Sequence, residues 1–259
     1  MQTIKQNTSW FRDNYLNKKN WAIKKSPHYI FHYFKNSLAE KEIDRIIKIQ
    51  ERAYKKILES LRLKNRRKIK YYLYPSRKIK EKLMGDDGNG NAIWIKIKKE
   101  KEIWNPEKFE IHSLYNNKIK CIEEHEDTHL LSISLGVAVF LFSEGLAEFM
   151  SEKWHQKDID FWTRKYLKEN KLYSLKFLIN NKNWSKIDEM IVYPQAGSFM
   201  KYLIKTYGLE KFKQVYRNLS RKKTNRQNIK IIEDIYSKSI KRLEENWKTY
   251  LKNNLKIDK

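Results

Sequence analysis

Residues 121–131 read Cys-Ile-Glu-Glu-His-Glu-Asp-Thr-His-Leu-Leu, and His125-Glu126-Asp127-Thr128-His129 within them carries the HExxH pattern. On an α-helix, residues four apart lie on one face, one turn above each other. Two imidazoles so placed can bind one zinc ion at roughly 2.0–2.1 Å. Glu126, one step round the helix, is angled away from ligation yet close enough to a metal-bound water to take its proton. In a chain of this composition the pattern is expected by chance only about 0.01 times.

Two histidines leave a tetrahedral catalytic site one protein ligand short, the fourth position belonging to water. Downstream, Phe142-Ser-Glu-Gly-Leu-Ala-Glu-Phe149 places Glu144 and Glu148 four apart, so a helix turns both the same way. One of them can bind metal while the other accepts the N–H of a ligand imidazole. Gly-Val-Ala-Val-Phe-Leu-Phe precedes them, and two carboxylates in so apolar a stretch are costly to bury without a cation.

Outward from this segment, the chain divides into strands before and helices after, which indicates an α+β fold. His28–Phe34 (HYIFHYF) reads as a strand, with His28 and His32 as ordinary strand residues. Ser37-Leu-Ala-Glu40 has capping-box spacing and opens a long amphipathic helix with Ile43, Ile46, Ile47, Tyr54, Ile57, Leu58 and Leu61 at helical intervals. Lys68–Tyr74 is a second strand stopped by Pro75, and Ile93–Ile97 a third. Ile111–Tyr115, with His112, is expected as a short edge strand. The loop Gly85–Asn91 (GDDGNGN) lacks the Lys-Ser/Thr of a phosphate-binding loop and reads as a strand-connecting turn. From about Lys118 the pattern is helical to the end, and Tyr207-Gly208 looks like a helix stop. Residues 1–25 read as a loose or helical lead-in, 26–220 as the main domain and 221–259 as a basic helical extension.

The 259 residues, 40% hydrophobic with seven glycines and four prolines, exclude collagen-like and disordered classes. One cysteine excludes a disulfide scaffold or an all-Cys zinc module. The longest apolar run, Val137–Phe142, is too short to span a bilayer, and the first residues show no secretory signal, so a cytoplasmic protein is expected. The net charge of +25 is uneven: +17 over residues 1–120, +1 over 121–220 and +7 over 221–259. Lysine supplies most of it. Arginine, which makes bidentate phosphate contacts, is scarce, so a solvated Lys-rich surface is preferred and no specific nucleic-acid partner is expected.

HEDTH followed by SEGLAEF resembles the gluzincins, the thermolysin-like branch of zinc peptidases, and above all the small peptidase MA-like proteins, over roughly residues 26–220. The resemblance implies a thermolysin-like zincin: a small N-terminal mixed sheet with a long helix, then the HExxH helix and a mostly helical C-terminal half. It makes the Glu before Gly, Glu144, the third zinc ligand, and Glu148 the acceptor of a ligand imidazole's N–H. Eighteen residues separate His129 from Glu148, the gap of gluzincin aminopeptidases; the local Glu-Gly context nevertheless assigns Glu144. Tyr193-Pro-Gln-Ala-Gly-Ser-Phe199 fits the family as well. Asp127 departs from the small or apolar residues usual there, and is expected on the helix's outer side.

The implied activity is zinc-dependent hydrolysis of a peptide or protein by a monomer. Glu126 is the general base, and Tyr193 reads equally as a donor to the developing oxyanion or as a buried structural tyrosine. The peptide would lie antiparallel along the edge strand near Ile111–Tyr115. No acidic motif for anchoring a substrate N-terminus is present, so an endopeptidase is expected. Cys121, one turn before His125, reads as a core thiol, and His155 in its polar setting as a surface residue. Two rival classes are a basic nucleic-acid-binding protein and a zinc-binding scaffold without turnover; the intact Glu126 argues against the second.

Overall fold

The structure, a computed structural model, describes residue 15 and residues 21–94, 97–100, 103–106 and 108–253. The chain forms two compact units that divide at Ser134 and Leu135. The architecture is mixed α+β.

The first unit is built on a sheet of β1 (Trp21–Lys25), β2 (Tyr29–Phe34), β3 (Ile69–Tyr74), β4 (Gly90–Ile93) and β7 (Glu110–Leu114), in the order β1-β2-β3-β7-β4. The β2–β3 and β3–β7 pairs are parallel, the outer two antiparallel. Helix α1 (Leu38–Leu61) connects β2 to β3, as a parallel pair requires. Its stripe Ile43, Ile46, Ala53, Tyr54, Ile57 and Leu61 is buried. Ser37 caps it by accepting from the Glu40 amide at 3.3 Å, but the Glu40 carboxylate closes on the amide of Asn36 rather than Ser37. Helix α2 (Arg77–Met84) follows β3. A separate antiparallel pair comprises β5 (Ile97–Glu100) and β6 (Ile103–Pro106). Helix α3 (Glu124–Leu131) comes last in this unit, and a 3₁₀ turn over Ser132–Leu135 follows it at the division.

Three expectations are corrected here. Residues 21–25, assigned to a loose or helical lead-in, form β1; residues 1–14 and 16–20 of that lead-in lie outside the described residues. The third strand begins earlier than Ile93, at Gly90, and Ile95 and Lys96 lie outside the described residues. Above all, the strand near Ile111–Tyr115 is not an edge: β7 pairs with β3 on one side and β4 on the other. Its polar residues mimic an edge because each is paired inside. Glu110 accepts from the Tyr15 hydroxyl at 2.9 Å, His112 Nδ1 meets the Tyr74 hydroxyl at 2.8 Å, and Ser113 donates to the Tyr71 hydroxyl at 3.2 Å. The outermost strands of this sheet are β1 and β4.

Among its described residues the second unit is helical apart from one hairpin, β8 (Lys153–Trp154) with β9 (Lys157–Asp158), which the helical reading of this half did not foresee. Its helices are α4 (Phe140–Ser151), α5 (Ile159–Lys168), α6 (Leu175–Ile179), α7 (Glu189–Tyr207), α8 (Leu209–Asn218), α9 (Asn225–Tyr236) and α10 (Ile240–Asn253). Gly208, at φ +85°, ends α7 as its sequence suggests. Helix α4 packs along α7 at glycine contacts. A Cβ on Gly145 would stand 2.7 Å from the Ala196 carbonyl oxygen, and one on Gly197 would stand 2.7 Å from Glu148 Cβ. Gly145 of Ser143–Phe149 and Gly197 of Tyr193–Phe199 meet at this crossing. No described helix is long and apolar enough to cross a membrane.

Candidate metal centre

The HExxH segment is α3, and the side that carries Asp127, Thr128, Leu130 and Leu131 is buried. His125, Glu126 and His129 are only partly buried. The two imidazole rings lie edge to face, 5.0 Å between centroids, as neighbours one turn apart should.

Asp127 does not lie on the outer side. It is fully buried, its Oδ1 receiving the Tyr29 hydroxyl at 2.6 Å and its Oδ2 the Gln50 amide at 2.6 Å. Burial holds its carboxyl well above the usual carboxylate range, although both hydrogen bonds pull it down. Gln50, also fully buried, has a second task. Its Oε1 accepts the Glu123 amide at 2.5 Å, and its Nε2 reaches the Glu123 carbonyl at 3.4 Å. Glu123 is the N-cap of α3 at φ 87°, a left-handed setting that costs a non-glycine residue energy, so the start of the helix is held by another side chain rather than by its own cap. Sequence reasoning missed Gln50. The available signal was a glutamine within the apolar stripe of α1, between Ile46 and Ala53.

Glu144 sits in the second turn of α4, buried, with Glu148 buried one turn on. This helix also begins without a side-chain cap. Arg221 supplies the missing order: Nε donates to the Ala138 carbonyl at 2.9 Å, Nη2 to Ser143 Oγ at 3.0 Å, and the guanidinium lies 4.1 Å over the Phe140 ring. Burial lowers its pKa to about 10, against the opposing pull of the Glu144 charge. Asn181 Oδ1 accepts the Phe140 amide at 2.8 Å.

His125, His129 and Glu144 each offer a ligand atom, and these atoms all lie within 4.8 Å of one another. Two nitrogens and a carboxylate oxygen at that separation can hold a metal ion. No family model matches the chain, and no curated protein matches it in sequence.

The remaining candidates fall as follows. Tyr193, on α7, is buried with its ring stacked on Trp154 at 5.1 Å and 2° between planes. His155 is exposed in the turn between β8 and β9. His28 precedes β2 and pairs with Glu51 at 2.5 Å, while His32 in β2 and His112 in β7 stack on opposite sides of Tyr72. Burial pushes the Cys121 thiol up to about 12, which suits a core thiol.

Proposed function

We propose that the chain is a zinc-dependent endopeptidase of the gluzincin type, with a thermolysin-like arrangement of sheet, HExxH helix and carboxylate-bearing helix. The observation that carries the reading is the convergence of His125, His129 and Glu144, with Glu126 on the same helix as the two histidines. The His₂Glu donor set suits zinc, and leaves a coordination position for chemistry.

His125, His129 and Glu144 would hold the zinc, which would supply Lewis-acid polarisation of the scissile carbonyl and a lowered pKa of water. Glu126 accepts the proton of the attacking water and delivers it to the leaving amine nitrogen. Tyr193, its ring fixed by Trp154, is assigned as hydroxyl donor to the developing oxyanion. The substrate's main chain pairs with the outer side of β4 by strand addition. That edge, rather than the one expected at Ile111–Tyr115, is the suitable one because Gly90 in β4 lies directly against Glu126.

The test is elemental analysis of protein purified without a histidine tag, followed by digestion of a pool of unstructured peptides. About one zinc per chain is expected. Glu126→Gln should keep that zinc and its thermal stability, yet lower hydrolysis by a factor of about 100 or more, since a general base contributes roughly 10²–10⁴-fold. Zinc-loaded wild type that neither cuts peptides nor binds a hydroxamate would sink the enzyme reading.

A further inference from the structure

Lys80, on α2, has its ammonium wholly buried. A buried cation is costly unless oxygens surround it. Here three do: Asp86 Oδ1 at 2.8 Å, the Gly88 carbonyl at 2.7 Å and the Asn91 side-chain oxygen. All three belong to the loop and strand start Gly85–Asn91. Asp86 also turns back to accept the Gly88 amide at 3.0 Å. A segment with three glycines has little preference for one conformation. One ammonium binding three points across six residues supplies that preference.

The segment delivers Gly90 to a particular place. A Cβ there would stand 2.5 Å from Glu126 Oε1 and 2.7 Å from Cys121 Sγ, closer than van der Waals contact permits. The backbone of β4 therefore forms a wall beside the Glu126 carboxylate. A general base works only in the orientations that face its water, and a wall on one side removes many of the others.

We propose that Lys80 is a positioning residue for Glu126: it anchors Asp86, Gly88 and Asn91 so that Gly90 packs against the carboxylate and fixes its aim. This rests on Glu126 being the base of the reaction proposed above. It gives the GDDGNGN sequence a role beyond that of a turn.

Two variants test it on full-length, zinc-loaded protein. Lys80→Met should speed amide hydrogen exchange over residues 86–93 and lower kcat by about ten- to a hundredfold, while zinc content is unchanged. Gly90→Ala keeps every acceptor of Lys80. The atoms its methyl meets first are side-chain atoms of Glu126 and Cys121 rather than backbone, so the fold should survive with normal exchange and a similar fall in kcat. Should Lys80→Met not fold, Gly90→Ala decides by itself whether the wall matters. Exchange unchanged in Lys80→Met, or kcat unchanged in Gly90→Ala, would overturn the proposal and leave the peptidase reading standing. Wild type that is inert on peptides and blind to hydroxamate overturns that reading and the role of Lys80 in it; the exchange result then reports only the anchoring of the loop.

Discussion

The Tyr29 hydroxyl donates to Asp127 Oδ1 at 2.6 Å, joining residues 98 positions apart in the chain. It ties the helix that carries His125 and His129 to the second strand of the sheet. Gln50 completes the tie from α1, binding both the other Asp127 oxygen and the backbone of Glu123. Helix α3 is only eight residues long and has no side-chain cap. So short a helix is marginal without tertiary support. The network Tyr29–Asp127–Gln50–Glu123 provides that support on the buried side of the helix.

Asp127→Ala should therefore destabilise the protein by about 1–3 kcal/mol, the range for a buried polar group left unsatisfied. The cost falls mainly on the Gln50 amide, because the Tyr29 hydroxyl has a second acceptor in the Gln50 carbonyl at 3.1 Å. Asp127→Asn keeps an acceptor for Tyr29 and should cost less. Urea denaturation at neutral pH measures both. Stability equal to wild type in Asp127→Ala would show that the tie contributes nothing.

The parts of this arrangement that local pattern controls were legible. Helical spacing located α1, Ser37 marked its start, and the aromatic runs located β2 and β3. The i, i+4 spacing of HExxH put His125 and His129 on one helix face, whereas Glu144 was singled out over Glu148 by its Glu-Gly context and not by its spacing. What stayed hidden depends on distant partners. Asp127 looked like a surface acid because nothing near it in sequence names Tyr29 or Gln50. Ile111–Tyr115, with polar His112 and Ser113, looked like an edge strand, although both side chains are satisfied by tyrosines of β3. The order that puts β4 outermost is likewise set by pairing across the sheet. Lys80 looked like any other lysine of a Lys-rich chain, and only its three acceptors distinguish it.

The two carboxylates of α4 should separate cleanly. Glu144→Ala removes one of the three converging candidate ligands and should lose most of the metal, as should His129→Ala. Glu148→Ala should retain most of it, with affinity lowered about 10–100-fold if its carboxylate orients a ligand. Metal retained in Glu144→Ala and lost in Glu148→Ala would reverse the assignment.

The crossing of α4 and α7 predicts a stability effect without a chemical one. At Gly145 an added methyl meets the Ala196 carbonyl oxygen and Met200 Cγ, both at 2.7 Å, and backbone cannot move aside cheaply. Overpacking of this kind costs typically about 1–3 kcal/mol. It outweighs the ~1 kcal/mol that alanine gains over glycine in a helix. Gly145→Ala should lower Tm, whereas a Tm equal to or above wild type would show that the two helices have room to separate.

Acid should weaken the protein in two distinct windows. His32 is pushed down to about 4, first by burial and then by the charge of Lys70, with Glu110 opposing; its Nε2 has no hydrogen-bond partner among the described residues. A histidine held below its ordinary 6.5 binds its proton more readily when unfolded. Its contribution is therefore complete above pH 6.5 and is lost as pH falls towards 4, on the order of 2 kcal/mol for a partly exposed ring. Buried His112 is lowered too and adds to the same window. Glu110 acts further down. Burial pushes it up, but His112, Tyr15 and Lys108 outweigh that and bring it to about 2, so its contribution is lost between its ordinary 4.5 and 2. His32→Phe should thus flatten part of the slope between pH 6.5 and 4 and leave the loss below 4.5 due to Glu110 in place. Unfolding free energies measured across pH 3–8 check this, and an unchanged slope above pH 4 in the variant would show that His32 is already free to protonate in the folded state.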